Sequence, residues 1–230
     1  MNFVRLPENK FLQRSFLKRN ELDRLLFLGC SFSCAMVLFR VTYTGEWRFI
    51  FLVWNLFLAT LPYVVSTQLQ KRIDWIESNK RFMLATICWL LLLPNSFYIL
   101  TDLFHLRASP VIPKWYDLAM LFSFAWNGLL LGTLSMRQME RIVSIKFSIK
   151  QEWLFVIPVT LLNALGIYIG RYLRYNSWDV LTNPAGLLAE IGQLLLHPVQ
   201  NRFDWSMILC FSTLLFLFYS TLKSLGSRMT

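Results

Sequence analysis

Four polar side chains interrupt one apolar stretch of this chain: Asn95, Tyr98, Asp102 and His105, spaced 3, 4 and 3 residues apart. On a continuous helix that spacing puts all four on a single face. A carboxylate and an imidazole on one face are the usual parts of general acid/base or metal-assisted chemistry, and the amide and phenol beside them can hold a polar ligand. Two further segments carry polar groups of the same kind. One is Trp115-Tyr116-Asp117. The other begins with Arg171 and Arg174 and runs on through Asn176-Ser177-Trp178-Asp179. At i, i+3 on a helix, two guanidinium forks could take one phosphate or a pair of carboxylates.

The candidates therefore sort by chemistry. Asp102, His105 and Asp117 could act as acid or base. Asn95, Tyr98, Arg171, Arg174, Asn176 and Asp179 could bind a substrate. A divalent metal would draw on Asp102, His105, Asp117 or His197, although none of these falls in a compact ligand motif such as H-E-x-x-H. Each group also has a plainer structural role. Asp102 and His105 could mark where a helix leaves the membrane, Asp117 suits a helix N-terminus through its dipole, and the arginines could snorkel to the interface. Four polar groups on one stripe favour a cavity over the plain account of any one of them, because such a stripe on a membrane helix must face the bundle or water.

The elements that position these groups follow from composition. Of the 230 residues, 56% are hydrophobic and 16% charged, against roughly 45 to 50% and about 25% in a soluble domain. Nearly charge-free runs occur at 25–41, 49–67, 82–101, 118–136, 153–170 and 205–222. Each falls within or close to the range of about 17 to 25 residues needed to cross hydrocarbon. Backbone amides in lipid must be satisfied within their own segment, and the alternation of a barrel strand is missing, so the expected fold is an all-α bundle of six transmembrane helices. Arg40 near the end of the first run makes that run the least secure. Pro94 should kink the third helix just before the polar stripe. Asp102 lies about 30 Å beyond residue 82 at 1.5 Å per residue, near the edge of the hydrocarbon, where a charge costs less than at the centre.

The distribution of charge orients the bundle. Of the 23 Lys and Arg, 16 fall on the side of the N-terminal tail and 7 on the other, and the acids divide 7 and 6. The positive-inside rule places both termini in the cytoplasm, with residues 1–24 as a basic tail and 223–230 as a short one. The polar stripe and the arginine cluster then face away from the cytoplasm. The net charge of +10 is a topological excess that gives no reason to expect nucleic acid, and the basic tail suits anionic lipid headgroups. The 24 residues ahead of the first run are too long and polar for a cleavable signal, so the first helix is expected to stay as an anchor.

Three smaller features complete the pattern. Cys30, Cys34, Cys88 and Cys210 all lie within apolar runs, where free thiols behave as small buried side chains, so no disulfide framework is expected. Asn127 beside Gly128 suits an interhelical hydrogen bond at a close contact, and Gly166 with Gly170 suits a packing face. Residues 184–196 are apolar but too short to span. With Asn183 as cap and Pro184 at the first position they predict an interfacial or re-entrant helix, placed to cover the outer mouth of the bundle.

Three segments together, Leu93-Pro94-Asn95-Ser96-Phe97-Tyr98-Ile99-Leu100-Thr101-Asp102-Leu103, Trp115-Tyr116-Asp117-Leu118, and the run from Gly166 to Asp179, resemble the bacterial multi-pass membrane family known as domain of unknown function 1361. The resemblance covers most of the chain after the basic tail. It implies a bacterial membrane location and carries no activity with it. Three functions stay open from the residues. The favoured one is an outward-facing site that binds or processes an anionic lipid or envelope-precursor headgroup. The others are a non-catalytic assembly or scaffold protein locked by ion pairs, and a small-solute transporter or channel subunit. The last is the weakest, because no ionisable residue falls at the membrane centre and no inverted repeat is evident.

Overall fold

The computed structural model describes residues 9–106, 111–149, 151–175 and 179–228. Arg5, Arg107, Lys150 and Asn176 lie outside the described residues, as do the side chains of Lys10, Arg14, Lys18, Arg19 and Arg228. Within them all regular structure is helical: α1 (Asn9–Thr44), α2 (Phe51–Lys71), α3 (Ile73–Glu77), α4 (Asn79–Tyr98), a 3-10 segment (Ile99–His105), α5 (Lys114–Phe147), α6 (Trp153–Arg171), α7 (Asp179–Thr182), α8 (Pro184–Leu196) and α9 (Arg202–Arg228). Six of these segments are long and apolar enough to cross a membrane: Glu21–Thr44, Phe51–Lys71, Asn79–His105, Lys114–Phe147, Trp153–Arg171 and Arg202–Gly226. The expected six-helix bundle is the observed architecture. Successive crossings alternate in direction, so one end of the bundle gathers the C-terminal ends of α1, α4 and α6 with the N-terminal ends of α2, α5 and α9.

The axis of the bundle is α5. Over half of its apolar window is buried, against 17% for α9, and it packs on α1, α2, α4, α6 and α9. Small residues let it approach its neighbours. A Cβ on Gly128 would strike the carbonyl oxygen of Ser96, and one on Gly132 would sit 2.7 Å from the Phe97 ring. The packing forms one cluster around Val37, Leu52, Phe124 and Ile99, and another around Trp89, Leu93, Phe97 and Met136.

Prolines inside α2, α4 and α6 would each leave a helical carbonyl without its usual donor, which lipid cannot replace. Polar side chains are spent on the backbone near these breaks. Ser135 Oγ donates to the Pro62 carbonyl at 2.8 Å while accepting from Trp89 Nε1 at 2.7 Å, and Ser96 Oγ donates to the Ala59 carbonyl at 2.8 Å. One turn beyond Pro94, α4 tightens into the 3-10 segment. That geometry carries three residues per turn and eclipses i with i+3, so Asp102 and His105 stack on one edge.

Candidate functional site

The polar stripe is positioned by the contact of α6 on α4. A Cβ on Gly166 would lie 2.5 Å from the Pro94 ring, and one on Gly170 would lie 3.2 Å from Tyr98. These absences of side chain let the last turn of α6 settle on the end of α4 and bring Arg171 over the 3-10 segment. A cation in the last helical turn also meets the partial negative charge of the helix C-terminus.

Arg171 is the centre of the resulting cluster. Its Nη1 donates to the Tyr98 hydroxyl at 3.3 Å and contacts His105 Nε2 at 3.3 Å, and its Nη2 donates to the Thr101 carbonyl. A guanidinium has only donors, so Nε2 accepts in that contact. The Tyr98 and Phe104 rings lie 5.4 and 5.6 Å from the guanidinium carbon, within cation–π range. Asp102 is 1% exposed. Its Oδ2 accepts from Asn55 Nδ2 of α2 at 2.9 Å, and its Oδ1 has no hydrogen bond, standing 3.6 Å from Arg171 Nη1 and 4.0 Å from His105 Nε2.

These groups border a cavity of about 590 Å³ bounded by α2, α4, α6 and α8. At one end it is lined by Asn95, Tyr98, Asp102, His105 and Arg171, and farther along α4 by Leu58, Leu90, Pro94, Leu162 and Leu165. Contact is extensive between α2 and α4 and between α4 and α6, so α4 forms the floor of a groove whose walls are α2 and α6. Trp54, Leu91 and Leu162 on its rim are exposed, which in a bilayer means facing lipid. Leu187 and Ile191 of α8 also line the cavity, and that short helix starts with Asn183 accepting from the Gly186 amide at 3.2 Å.

The other sequence candidates lie elsewhere. Asp117, 2% exposed, accepts from Arg40 Nε at 2.8 Å and from Arg40 Nη2 at 3.3 Å, while Arg40 also reaches Glu46 at 3.3 Å and stacks 4.4 Å over Phe49. The start of α5 is thus tied to α1, and Asp117 is not among the residues lining the groove. Arg171 and Arg174 do not share a helical face, because α6 ends at Arg171 and Arg174 takes a φ of 60°. Arg174 instead borders a second hollow of about 350 Å³ with Asp179, Asn183 and Glu190. His197 is exposed at the end of α8, where its carbonyl accepts from Asn201. Among the described residues no three His, Cys, Asp or Glu side chains are grouped to hold a metal ion.

Two partners of the buried acids escape a reading of the stripe alone. Asn55 shows in the sequence only as an amide within an apolar run, and Arg40 only as a charge near the end of another. For both, the signal is an expensive group in lipid whose partner is far away in the chain.

The fold and the groove together define a helical, membrane-spanning protein with a polar pocket at one end of its bundle. Residues 54–218 match the family described as protein of unknown function DUF1361, and the chain belongs to that family. Comparison with curated proteins and with solved structures gives no match.

Proposed function

We propose that the groove between α2 and α6 binds an anionic lipid or envelope-precursor headgroup, or presents it for processing, on the non-cytoplasmic side of a bacterial plasma membrane. The observation that carries this reading is the continuity of the cavity, polar around Arg171 and apolar along α4, with a rim of lipid-facing side chains. An amphiphile needs both parts. Its headgroup would lie against Arg171, His105 and Tyr98, and its chain against Leu58, Leu90 and Leu162. Sites of this kind bury most of the ligand in apolar walls and orient it with a few polar groups. The side of the membrane rests on the excess of Lys and Arg at the opposite end, with the 1–24 and 223–230 tails in the cytoplasm.

A second reading draws on one specific observation: the donors of Arg171 are engaged within the protein by Tyr98, Thr101 and His105. In that reading the cluster is a lock between α4 and α6 in a scaffold protein. Native mass spectrometry of the protein extracted with its lipids tests the first reading. The wild type should carry a stoichiometric amphiphile that Arg171→Gln loses, and equal retention by both would defeat it. Folded yields of Arg171→Gln, Asp102→Asn and the double variant test the second. Loss in each single variant with recovery in the double is the outcome that a lock requires.

A further inference from the structure

The geometry points to a hydroxyl-bearing headgroup, a phosphate-linked polyol or sugar, as the chemical class that fits the slot formed by Asp102, His105 and Arg171. This inference rests on the headgroup reading above and narrows it. The slot is a pair of gaps. Asp102 Oδ1 stands 3.6 Å from Arg171 Nη1 and 4.0 Å from His105 Nε2, close on both sides yet hydrogen-bonded to neither, although the carboxylate is 1% exposed. A carboxylate oxygen left without a donor in a buried site is costly, so a ligand that supplies one gains the energy of that repair.

The slot presents both signs. On one side is an acceptor, the carboxylate oxygen. On the other is a guanidinium, which only donates. Phosphate offers acceptors alone and would be repelled by Asp102. An ammonium offers donors alone and would be repelled by Arg171. A hydroxyl does both at once, donating to Asp102 Oδ1 while accepting from Arg171 Nη1 in exchange for the long 3.3 Å contact that Nη1 makes with His105 Nε2. Formal charges point the same way, since Arg171 and Asp102 cancel and leave no surplus to hold a dianion. The walls agree as well. Phe51, Trp54, Tyr98 and Tyr175 line the same cavity, and aromatic faces suit the apolar C–H surfaces of a polyol or sugar ring. Phe51 packs against His105 edge-on with centroids 5.2 Å apart, which holds the imidazole at the border of the slot.

The test uses the whole protein in phosphatidylcholine nanodiscs containing equal amounts of phosphatidylglycerol, phosphatidic acid and phosphatidylethanolamine with identical chains. All three carry phosphate. The first adds hydroxyls, the second adds only charge, and the third adds an ammonium. Retained lipids are read by native mass spectrometry. Phosphatidylglycerol should be enriched by about tenfold over each of the others, the ratio that one well-made polar contact supports. Asp102→Asn should bring the ratio close to one, and His105→Phe, which keeps a ring at a half-exposed position, should lower it with little risk to folding. Retention of phosphatidic acid or phosphatidylethanolamine at or above the level of phosphatidylglycerol would overturn the hydroxyl assignment and leave the headgroup reading standing. Retention of no lipid at all by the wild type would overturn both.

Discussion

Arg40 and Asp117 form the most deeply buried ion pair in the described residues, 1% and 2% exposed, with Nε and Nη2 of the guanidinium each donating to one carboxylate oxygen. Removing Arg40 leaves Asp117 an uncompensated charge where water cannot reach it, and removing Asp117 leaves the buried Arg40 with only the half-exposed Glu46. Arg40→Ala or Asp117→Ala alone should therefore cost about 3 to 5 kcal/mol of stability, while replacing both with apolar residues, Arg40→Met with Asp117→Leu, should recover most of the loss. Thermal unfolding in detergent, followed by tryptophan fluorescence, measures the cycle. A double variant no more stable than the worse single one would show that the pair does not act as a unit. The same logic separates this pair from Asp102 and Arg171. There the carboxylate keeps one oxygen without a hydrogen bond, and that asymmetry marks the α4 end as the place where a ligand could act.

At the scale of elements, the position of α6 depends on two missing side chains. Gly166 meets the Pro94 ring, and a Cβ there would intrude to 2.5 Å. Gly166→Ala should cost about 1 to 3 kcal/mol through overpacking and should also shift Arg171 off the groove. Gly192 is the control. It lies in α8 with nothing within 4 Å of its would-be Cβ, so Gly192→Ala should stabilise by roughly 0.5 to 1 kcal/mol through helix propensity. Differential scanning of the two variants beside the wild type reads both signs, and equal effects would contradict the packing described here. Pro94 was legible as a residue that removes a backbone donor from the third helix, and α4 runs on through it to Tyr98. The change to a 3-10 segment was not, because residue types do not say how tightly a chain winds after a proline.

At the scale of the whole molecule, the six crossings make the sidedness of the groove a single testable quantity. Val199 is 82% exposed near the start of α9, at the end that holds Arg171, and Ile145 is 80% exposed at the opposite end of α5. A cysteine at Val199 should react with a membrane-impermeant maleimide in intact spheroplasts, and one at Ile145 only after permeabilisation. The reverse pattern would turn the groove to the cytoplasm and remove the envelope reading with it.

The amino-acid sequence by itself determined the solvent of this protein and the number of its crossings. Uninterrupted apolar runs insert regardless of what they later pack against, and the transfer energy of each is a local sum over its own residues. It also determined that Asn95, Tyr98, Asp102 and His105 would fall together at the end of the third crossing, whereas their meeting at one cavity was decided by the fold, because the winding changes from α to 3-10 between Tyr98 and Asp102. Which cation meets which acid was decided only by tertiary structure. Asp102 and Asp117 are equally plausible partners for Arg171 on the sequence. The close contact of Gly166 and Gly170 with α4 delivers Arg171 to Asp102, and the packing of α1 on α5 gives Arg40 to Asp117. Such pairings depend on distances between helices far apart in the chain, and no run of neighbouring residues encodes them.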